Sequence, residues 1–478
     1  MTQTLERMRR AVGGLLAGPR PQKEGAGLQE APEDCLRQPL ARPEEGRAAR
    51  LLAAPRRWLQ MMAGPPAWSD SPSLNLAGAI AGEVARLATV ELEARVQGGP
   101  RAAYLDRQLQ PVLAALRTQC EYAAGCGGVM MKPCVEGKRI AVDFALPGQF
   151  LPTAWDGRGN ITGAVFVEQR TLGRACYTRL EHHRSTPEGY VVENRAFRAA
   201  APGVLGRPVP LAEVPLWAGL TPRVVLTGPG GQGPAVPLFS YFKMPFANAA
   251  DPGSPLGASV FARAEGLLAE ADRQYGRLLW EYEGSELAVD ASVGAVQAAD
   301  GRYTMPRGRR RLFRELAVTG ADGGDLYRVF SPAIRDESLL RGLDSLLKRI
   351  EFACCLSYGT LSDPQSVART AEEIRMSKQR SFAAVCDIQK ALRTALEQLV
   401  AAMDACATLY GLAPAGEYQL ALRFGDGITT DTATERSQMR LDCQAGAACW
   451  WEYRMKFYGE CEAQARARAA EAREEQGR

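Results

Sequence analysis

Histidine is almost absent from this chain, with two residues in 478. Imidazole is the usual proton carrier near neutral pH and the commonest metal ligand, so His-based acid–base catalysis and His-rich metal centres have few candidates. No stretch reaches the about 20 apolar residues that cross a bilayer. A soluble protein with no membrane partner is expected. The twelve cysteines form no CxxC pair and include the adjacent Cys354 and Cys355, which argues for reduced, mostly buried thiols and synthesis in a cytosol, against a disulfide or zinc framework. The only strongly glycine-rich loop, TGPGGQGP, lacks the Lys and Ser or Thr that complete a phosphate cradle. It reads as a surface turn, and nucleotide hydrolysis is not expected. The opening MTQTLERMRRAVGGLLAGPR places arginines ahead of a short apolar run, Ala11–Ala17. That run is interrupted by glycine and has no convincing cleavage site, so no secretion signal is expected.

What is present is an ordinary globular balance, 46% hydrophobic and 23% charged, long enough for two or three domains. A net charge of +4 on 58 basic and 54 acidic residues does not announce a tight nucleic-acid binder. Contact with DNA should be loose or local.

Along the chain, residues 18–45 are rich in Pro, Gly, Arg and Glu without periodicity and read as an arm ahead of an ordered body. From Leu74 to Val96 the residues Leu76, Ile80, Val84, Leu87 and Val90 recur at helical spacing. A second helix is read from Gln110 to Ala124, with Pro111 in its first turn. Strand-like runs follow at Arg139–Phe144, Ile161–Gln169, Arg174–His182 and Tyr190–Phe197, divided by turns such as DGRGN. The character changes after Phe239. Ser254 as N-cap and Pro255 at the first position predict a helix of roughly 45 Å, with a stripe from Val260 through Leu278 to Tyr282. A β-like excursion carrying RGRRRLFREL follows. A returning helix at Ser338–Ser357 has Leu339, Leu343, Leu346, Ile350 and Cys354 on one face. After GTLSDPQ, a third helix from Thr370 to Leu409 carries the seam Val385, Ile388, Leu392, Leu396, Leu399 and Met403. A strand at YQLALRF, a capping-box pair at Thr432 and Glu435 and a charged, alanine-rich tail complete the chain. No internal repeat is visible.

Three segments, YFKMPFANAADPGSPLGASVFARAEGLLAEADRQYGRLLWEYEGSE, SYGTLSDPQSVARTAEEIRMSKQRSFAAVCDIQKALRTALEQLV and FGDGITTDTATERSQMRLDCQAG, resemble the portal proteins of siphophages. Weaker similarity runs through SPSLNLAGAIAGEVARLATVE, LPTAWDGRGNITGAVFVEQ and YTRLEHH, so that the resemblance spans about Trp58 to Glu462. These are structural signatures in family order, not catalytic motifs. The resemblance implies a portal-type α+β fold with a mixed α/β wing, a long-helix stem hairpin, a small β-rich clip and a short helical crown. In that plan 1–47 is the arm, 48–253 the wing, 254–285 a stem helix, 286–330 the clip and 331–358 the returning stem helix. Residues 359–369 are a tunnel loop, 370–424 the long wing helix and strand, and 425–478 the crown and tail. It further implies a homo-dodecameric ring at one capsid vertex of the virion, passing double-stranded DNA without sequence specificity. Its partners would be the terminase large subunit, major capsid and scaffolding proteins, and head-completion or adaptor proteins. No catalytic residue, cofactor or metal is implied.

Within that plan, Thr360, Leu361, Ser362, Asp363 and Gln365 are the DNA-facing candidates. A turn of polar, mostly uncharged residues suits sliding, since many strong Lys or Arg contacts would hold phosphates in place; the plain alternative is a helix connection in which Asp363 and Pro364 open the next element. Arg307, Arg309, Arg310, Arg311 and Arg314 make a local positive field suited to docking a partner or to phosphate, against the plain reading of a solvated hairpin. Cys176, His182 and His183 are close in sequence, but adjacent strand residues point to opposite faces and do not easily reach one metal. Asp426 and Asp431 are read as turn and capping residues before a cation site. The rival from another class is a nucleic-acid enzyme of the packaging apparatus, a nuclease or translocase subunit; a third is a different head-assembly protein.

Overall fold

The computed structural model describes residues 47–65, 73–187, 189–201, 204–226, 234, 236–286, 288–292, 313–316, 327–363, 371–425, 432–458, 460 and 462–476. The chain is α+β. Helices α1 (Arg47–Ala63) and α2 (Leu76–Thr89) lead to strand β1 (Glu93–Gly98) and helix α3 (Pro100–Cys126). Strands β2 (Gly128–Glu136), β3 (Arg139–Ala145), β4 (Phe150–Trp155), β5 (Ile161–Leu172), β6 (Ala175–Thr186), β7 (Gly189–Ala199), β8 (Arg207–Val209), β9 (Arg223–Leu226) and β10 (Ser240–Lys243) follow. Then come helix α4 (Glu265–Gly284), strands β11 (Ala288–Ser292), β12 (Phe313–Leu316) and β13 (Tyr327–Phe330), and helices α5 (Asp336–Ala353) and α6 (Ala371–Leu409). Strand β14 (Tyr418–Arg423) and helices α7 (Thr432–Gln444), α8 (Trp450–Tyr458) and α9 (Glu462–Gln476) end the described chain.

The largest core gathers around α6. Val385, Ile388, Leu392, Leu396, Leu399 and Met403 are all buried, as their spacing predicts. All but Val385 meet Ile80 and Val84 of α2, Leu105, Leu109 and Leu116 of α3, and the bases of α4 and α5 in one continuous cluster. The sheet β10-β2-β3 is antiparallel and takes α6 across β10 and β2. A second sheet, β4-β5-β6-β7-β8 with β9 also on β7, packs its own cluster around Phe150, Val165, Phe166 and Leu180. Strands β6 and β7 are buried on both faces over part of their length, and the predicted strands lie within or overlap β3, β5, β6 and β7. Strand β1 pairs with β14 antiparallel, Glu93 opposite Arg423, closing the body with a segment near the other end of the chain.

Three expectations need correction. The helix read from Leu74 to Val96 stops at Thr89, because Glu91 takes a left-handed φ of 54° and Val96 belongs to β1. The second helix begins at Pro100, ten residues before the predicted Gln110. Pro111 lies inside it and not in its first turn; its ring is exposed, while Leu105, Leu109, Val112 and Leu116 keep a buried stripe on either side. Tertiary burial outweighs the about 3 kcal/mol that an interior proline costs. The helix predicted from Ser254 starts only at Glu265, after a short 3-10 turn at Ala262–Ala264, so α4 is about 30 Å long rather than 45 Å.

The last correction has a packing cause. Leu256, Ala258, Val260 and Phe261 are all buried, so this segment is wrapped by core on every side and has no solvent face for a helix to present. It hooks onto the end of α3 through Val260 N–H to Ala124 O (3.0 Å) and Ser259 Oγ to the same carbonyl (3.2 Å). At the crossing, a Cβ on Gly257 would lie 2.2 Å from Gly127 O and 2.9 Å from Met244 O, and one on Gly127 would lie 2.3 Å from Gly257 O. Both contacts are with backbone, which cannot rotate aside as a side chain does.

The described part of the excursion is a three-stranded sheet, β12-β11-β13, on the tip of the antiparallel pair α4 and α5. Leu268, Ala271 and Leu278 of α4 are buried with Leu343 and Ile350 of α5. Near the tip Arg335 clasps Glu281 with two nitrogens, at 3.1 and 2.8 Å. The guanidinium holds the Glu281 carboxyl below its ordinary range. The pair is too exposed to contribute much stability, but it fixes where the return begins.

Gly257→Ala is therefore expected to cost about 3 kcal/mol, the upper range for overpacking against parts that cannot move, measured as a lower urea midpoint. Gly266→Ala, exposed in the first turn of α4 with open space around it, should be neutral or stabilising by up to about 1 kcal/mol. Equal effects from the two would show that the crossing is not tight.

Candidate functional site

The turn after α5 is built by side chains of the two helices it joins. Helix α5 ends at Ala353 with Cys354 as its cap, and Cys355 takes a φ of 59°, a left-handed position usually given to glycine. Leu356 N–H donates to Glu351 O (2.8 Å) and Cys355 N–H to Phe352 O (3.3 Å), satisfying carbonyls at the helix end. The Glu351 side chain is fully buried. One carboxylate oxygen accepts Leu361 N–H (2.6 Å) and Ser362 N–H (2.9 Å), and the other accepts Ser362 Oγ–H (2.9 Å). Ser362 Oγ in turn accepts Gly359 N–H at 3.2 Å. From α6, Arg380 donates to Leu356 O (3.1 Å) and lies over the rings of Phe352 and Tyr358, 4.5 and 5.3 Å from their centroids. Asp363 N–H reaches Asp344 of α5 at 3.1 Å, and Asp344 pairs with Lys348 at 2.7 Å.

This geometry distributes the five loop candidates unequally. Thr360 is exposed, its hydroxyl on Ser357 O at 2.6 Å. Asp363 is also exposed. Leu361 is half-buried against the main core, and Ser362, 4% exposed, faces Glu351. Gln365 lies outside the described residues, as do Arg307, Arg309, Arg310 and Arg311 of the arginine cluster. Arg314 lies on β12, in register with Asp290 of the parallel neighbour β11. Asp426 and Asp431 are outside the described residues too.

Sequence reasoning passed over Glu351 and Arg380. A signal for Glu351 was present: with Leu347, Ile350 and Cys354 it occupies i+4 of an i, i+3, i+4, i+7 apolar stripe, so its side chain had to enter the core. Arg380 had no such mark.

A second buried polar cluster ties the two larger sheets together. Glu181 of β6 accepts Lys132 Nζ of β2 at 2.8 Å, Arg179 at 3.0 Å and His183 Nε2 at 2.7 Å. Burial works to raise the Glu181 carboxyl, but the His183 hydrogen bond and the Lys132 and Arg179 charges together hold it far below its usual range. The Tyr190 hydroxyl accepts Leu238 N–H (3.1 Å) and shares a hydrogen bond with His183 Nδ1 (3.0 Å). His182 turns to the other face, as strand geometry requires, with Nε2 3.3 Å from Thr153 Oγ1. Cys176 sits 3.7 Å from the Thr171 hydroxyl, so the three residues weighed as ligands have separate partners. Among the described residues no group of three His, Cys, Asp or Glu side chains could hold a metal ion. Among them, too, no helix is long and apolar enough to cross a membrane. The ten described cysteines are free, six of them buried. Burial pushes the Cys120 and Cys126 thiols up to about 12, away from reactivity.

No protein-family model matches the chain, and no curated protein matches it.

The burial of His182 generates a pH prediction. Burial, then the nearby Arg184 charge, pushes His182 from an ordinary 6.5 down to about 4. Below pH 6.5 the unfolded chain takes up a proton that the folded chain refuses until about 4. The stability this group contributes is complete above that window and is lost as pH falls through it, by about 3 kcal/mol. His182→Gln should flatten that part of the pH–stability curve measured by urea denaturation. An unchanged slope would assign the loss to other groups.

Proposed function

We propose that the chain is the portal subunit of a tailed bacteriophage, a ring-forming structural protein and not an enzyme. The observation that carries the reading is an order of parts. A long helix, a small β tip, an antiparallel returning helix, a short turn and a very long core helix follow one another in α4, β11–β13, α5, 357–363 and α6. In a portal these are stem, clip, stem, tunnel loop and wing, and the sequence segments that resemble the family fall in the same order. The C-terminal helices α7 to α9 correspond to a short crown.

The hairpin gives a physical reason for self-association. Trp280 is 70% exposed, Phe352 61% and Leu340 45%. Covering a large side chain of this kind is worth about 2 kcal/mol, and a cyclic array supplies the same cover to every subunit without an end. The ring would be a homo-dodecamer at one vertex of the virion capsid. Major capsid and scaffolding proteins surround it, and the terminase large subunit and head-completion or adaptor proteins dock on it. Double-stranded DNA passes through it without sequence readout. The absent phosphate cradle fits this division of labour: the motor is the terminase. The arginine cluster around Arg310 serves docking, and the turn at Thr360 faces the channel.

Mass photometry of the full chain is expected to show a closed oligomer of about a dozen subunits. Trp280→Glu should shift it toward smaller species without loss of helical circular dichroism. A strictly monomeric wild-type chain at every concentration and salt would sink the reading. Incubation with ATP, magnesium and duplex DNA should leave both substrates intact; turnover abolished by Asp426→Asn would favour the packaging enzyme.

A further inference from the structure

We infer that Glu351 is a positioning residue for the turn at 357–363, a buried anchor that holds the base of this loop in one geometry. The inference rests on the channel reading only for what the loop faces; the anchor itself rests on the side-chain contacts.

A fully buried carboxylate has lost its water and needs replacement donors. Glu351 finds three, all from the loop: Leu361 N–H, Ser362 N–H and Ser362 Oγ–H. The benefit is mutual, because those two backbone amides lie beyond the helix end and have no ladder to join. Ser362 extends the anchor by accepting Gly359 N–H, so one carboxylate organises three residues of the loop, Gly359, Leu361 and Ser362. On the opposite side Arg380 spends a donor on Leu356 O and stacks between two aromatic rings. The loop is thus held from both helices that flank it. A connection that only had to join α5 to α6 would need neither the buried Glu351 carboxylate nor the Arg380 contact, and ordinary turn hydrogen bonds such as Thr360 N–H to Ser357 O would suffice.

The chemistry of the acceptor gives a discriminating pair of variants. In Glu351→Gln the side-chain oxygen still accepts the two amides, and the new NH2 can donate to Ser362 Oγ. Glu351→Ala leaves all three donors unmet. Ser362→Ala removes the hydroxyl link and the Gly359 contact alone, and serves if Glu351→Ala fails to fold. Each is made in the full chain and measured in two ways. Hydrogen exchange of the peptide spanning 357–363 reports the anchor. DNA packaged into proheads, at equal ring yield, reports the positioning.

Glu351→Ala is expected to speed exchange of that peptide by about tenfold or more while the α4–α5 hairpin stays protected, and to lower packaged DNA. Glu351→Gln should restore both toward wild type, and Ser362→Ala should fall between. Unchanged exchange in both Glu351→Ala and Ser362→Ala would overturn the anchor. Faster exchange with undiminished packaging would overturn the positioning role. If exchange responds as expected but the wild-type chain neither forms rings nor carries DNA, the channel reading fails and the anchor stands.

Discussion

Two glycines crossing without side chains set the position of much else in this protein. Gly127 caps α3 just before β2, and Gly257 passes over it close enough that neither tolerates a Cβ. Met244 N–H donates to Gly127 O (3.0 Å) and Val260 N–H to Ala124 O (3.0 Å), so the segment after β10 is pinned to the end of α3. Because that segment is committed to the core, α4 can begin only where the chain leaves it, at Glu265. The hairpin, its tip sheet and the turn beyond it therefore take their origin from this crossing. The long helix α6 then packs over the result, burying β10 and β2 beneath its apolar seam.

Sequence periodicity was legible where an element has one buried face. The seam of α6 is of this kind, and its position agrees closely with expectation; β5 to β7 were legible instead from their strand-like runs and the turns between them. It misled where burial is all round. Leu256, Ala258 and Phe261 look helical when counted with Ser254 and Pro255, yet they are enclosed on all sides, and a cap residue decides nothing when no water-facing surface is left. Pro111 misled in the opposite way: a strong local breaker was overruled by a stripe that runs straight through it. Of the candidate site, the polar turn was visible from its composition. Its internal wiring was not, since the partner of Ser362 is eleven residues away and that of Leu356 twenty-four.

A few charges in this protein are turned inward and matched there. Glu181 satisfies Lys132, Arg179 and His183 between two sheets, Arg101 is buried against Asp404, and Glu351 and Arg380 are spent on one turn. Such groups add little net stability compared with apolar replacements, but removing one partner leaves an uncompensated charge. They act as registration marks, admitting one arrangement of sheets and loop. A small net charge thus conceals a specific internal pattern.

The pairing of β1 with β14 has a consequence for how the protein comes into being. Strand β1 emerges early in synthesis, but the strand that completes its sheet is made only after the body, the hairpin and α6. Until then the edge from Glu93 to Gly98 has no partner, and the apolar side chains of Ala94 and Val96 lack their final cover. Completion of this sheet therefore waits for a strand far along the chain and is slowed by a long loop closure. A chain truncated before Tyr418 would carry an open strand edge, the surface through which unfinished sheets aggregate.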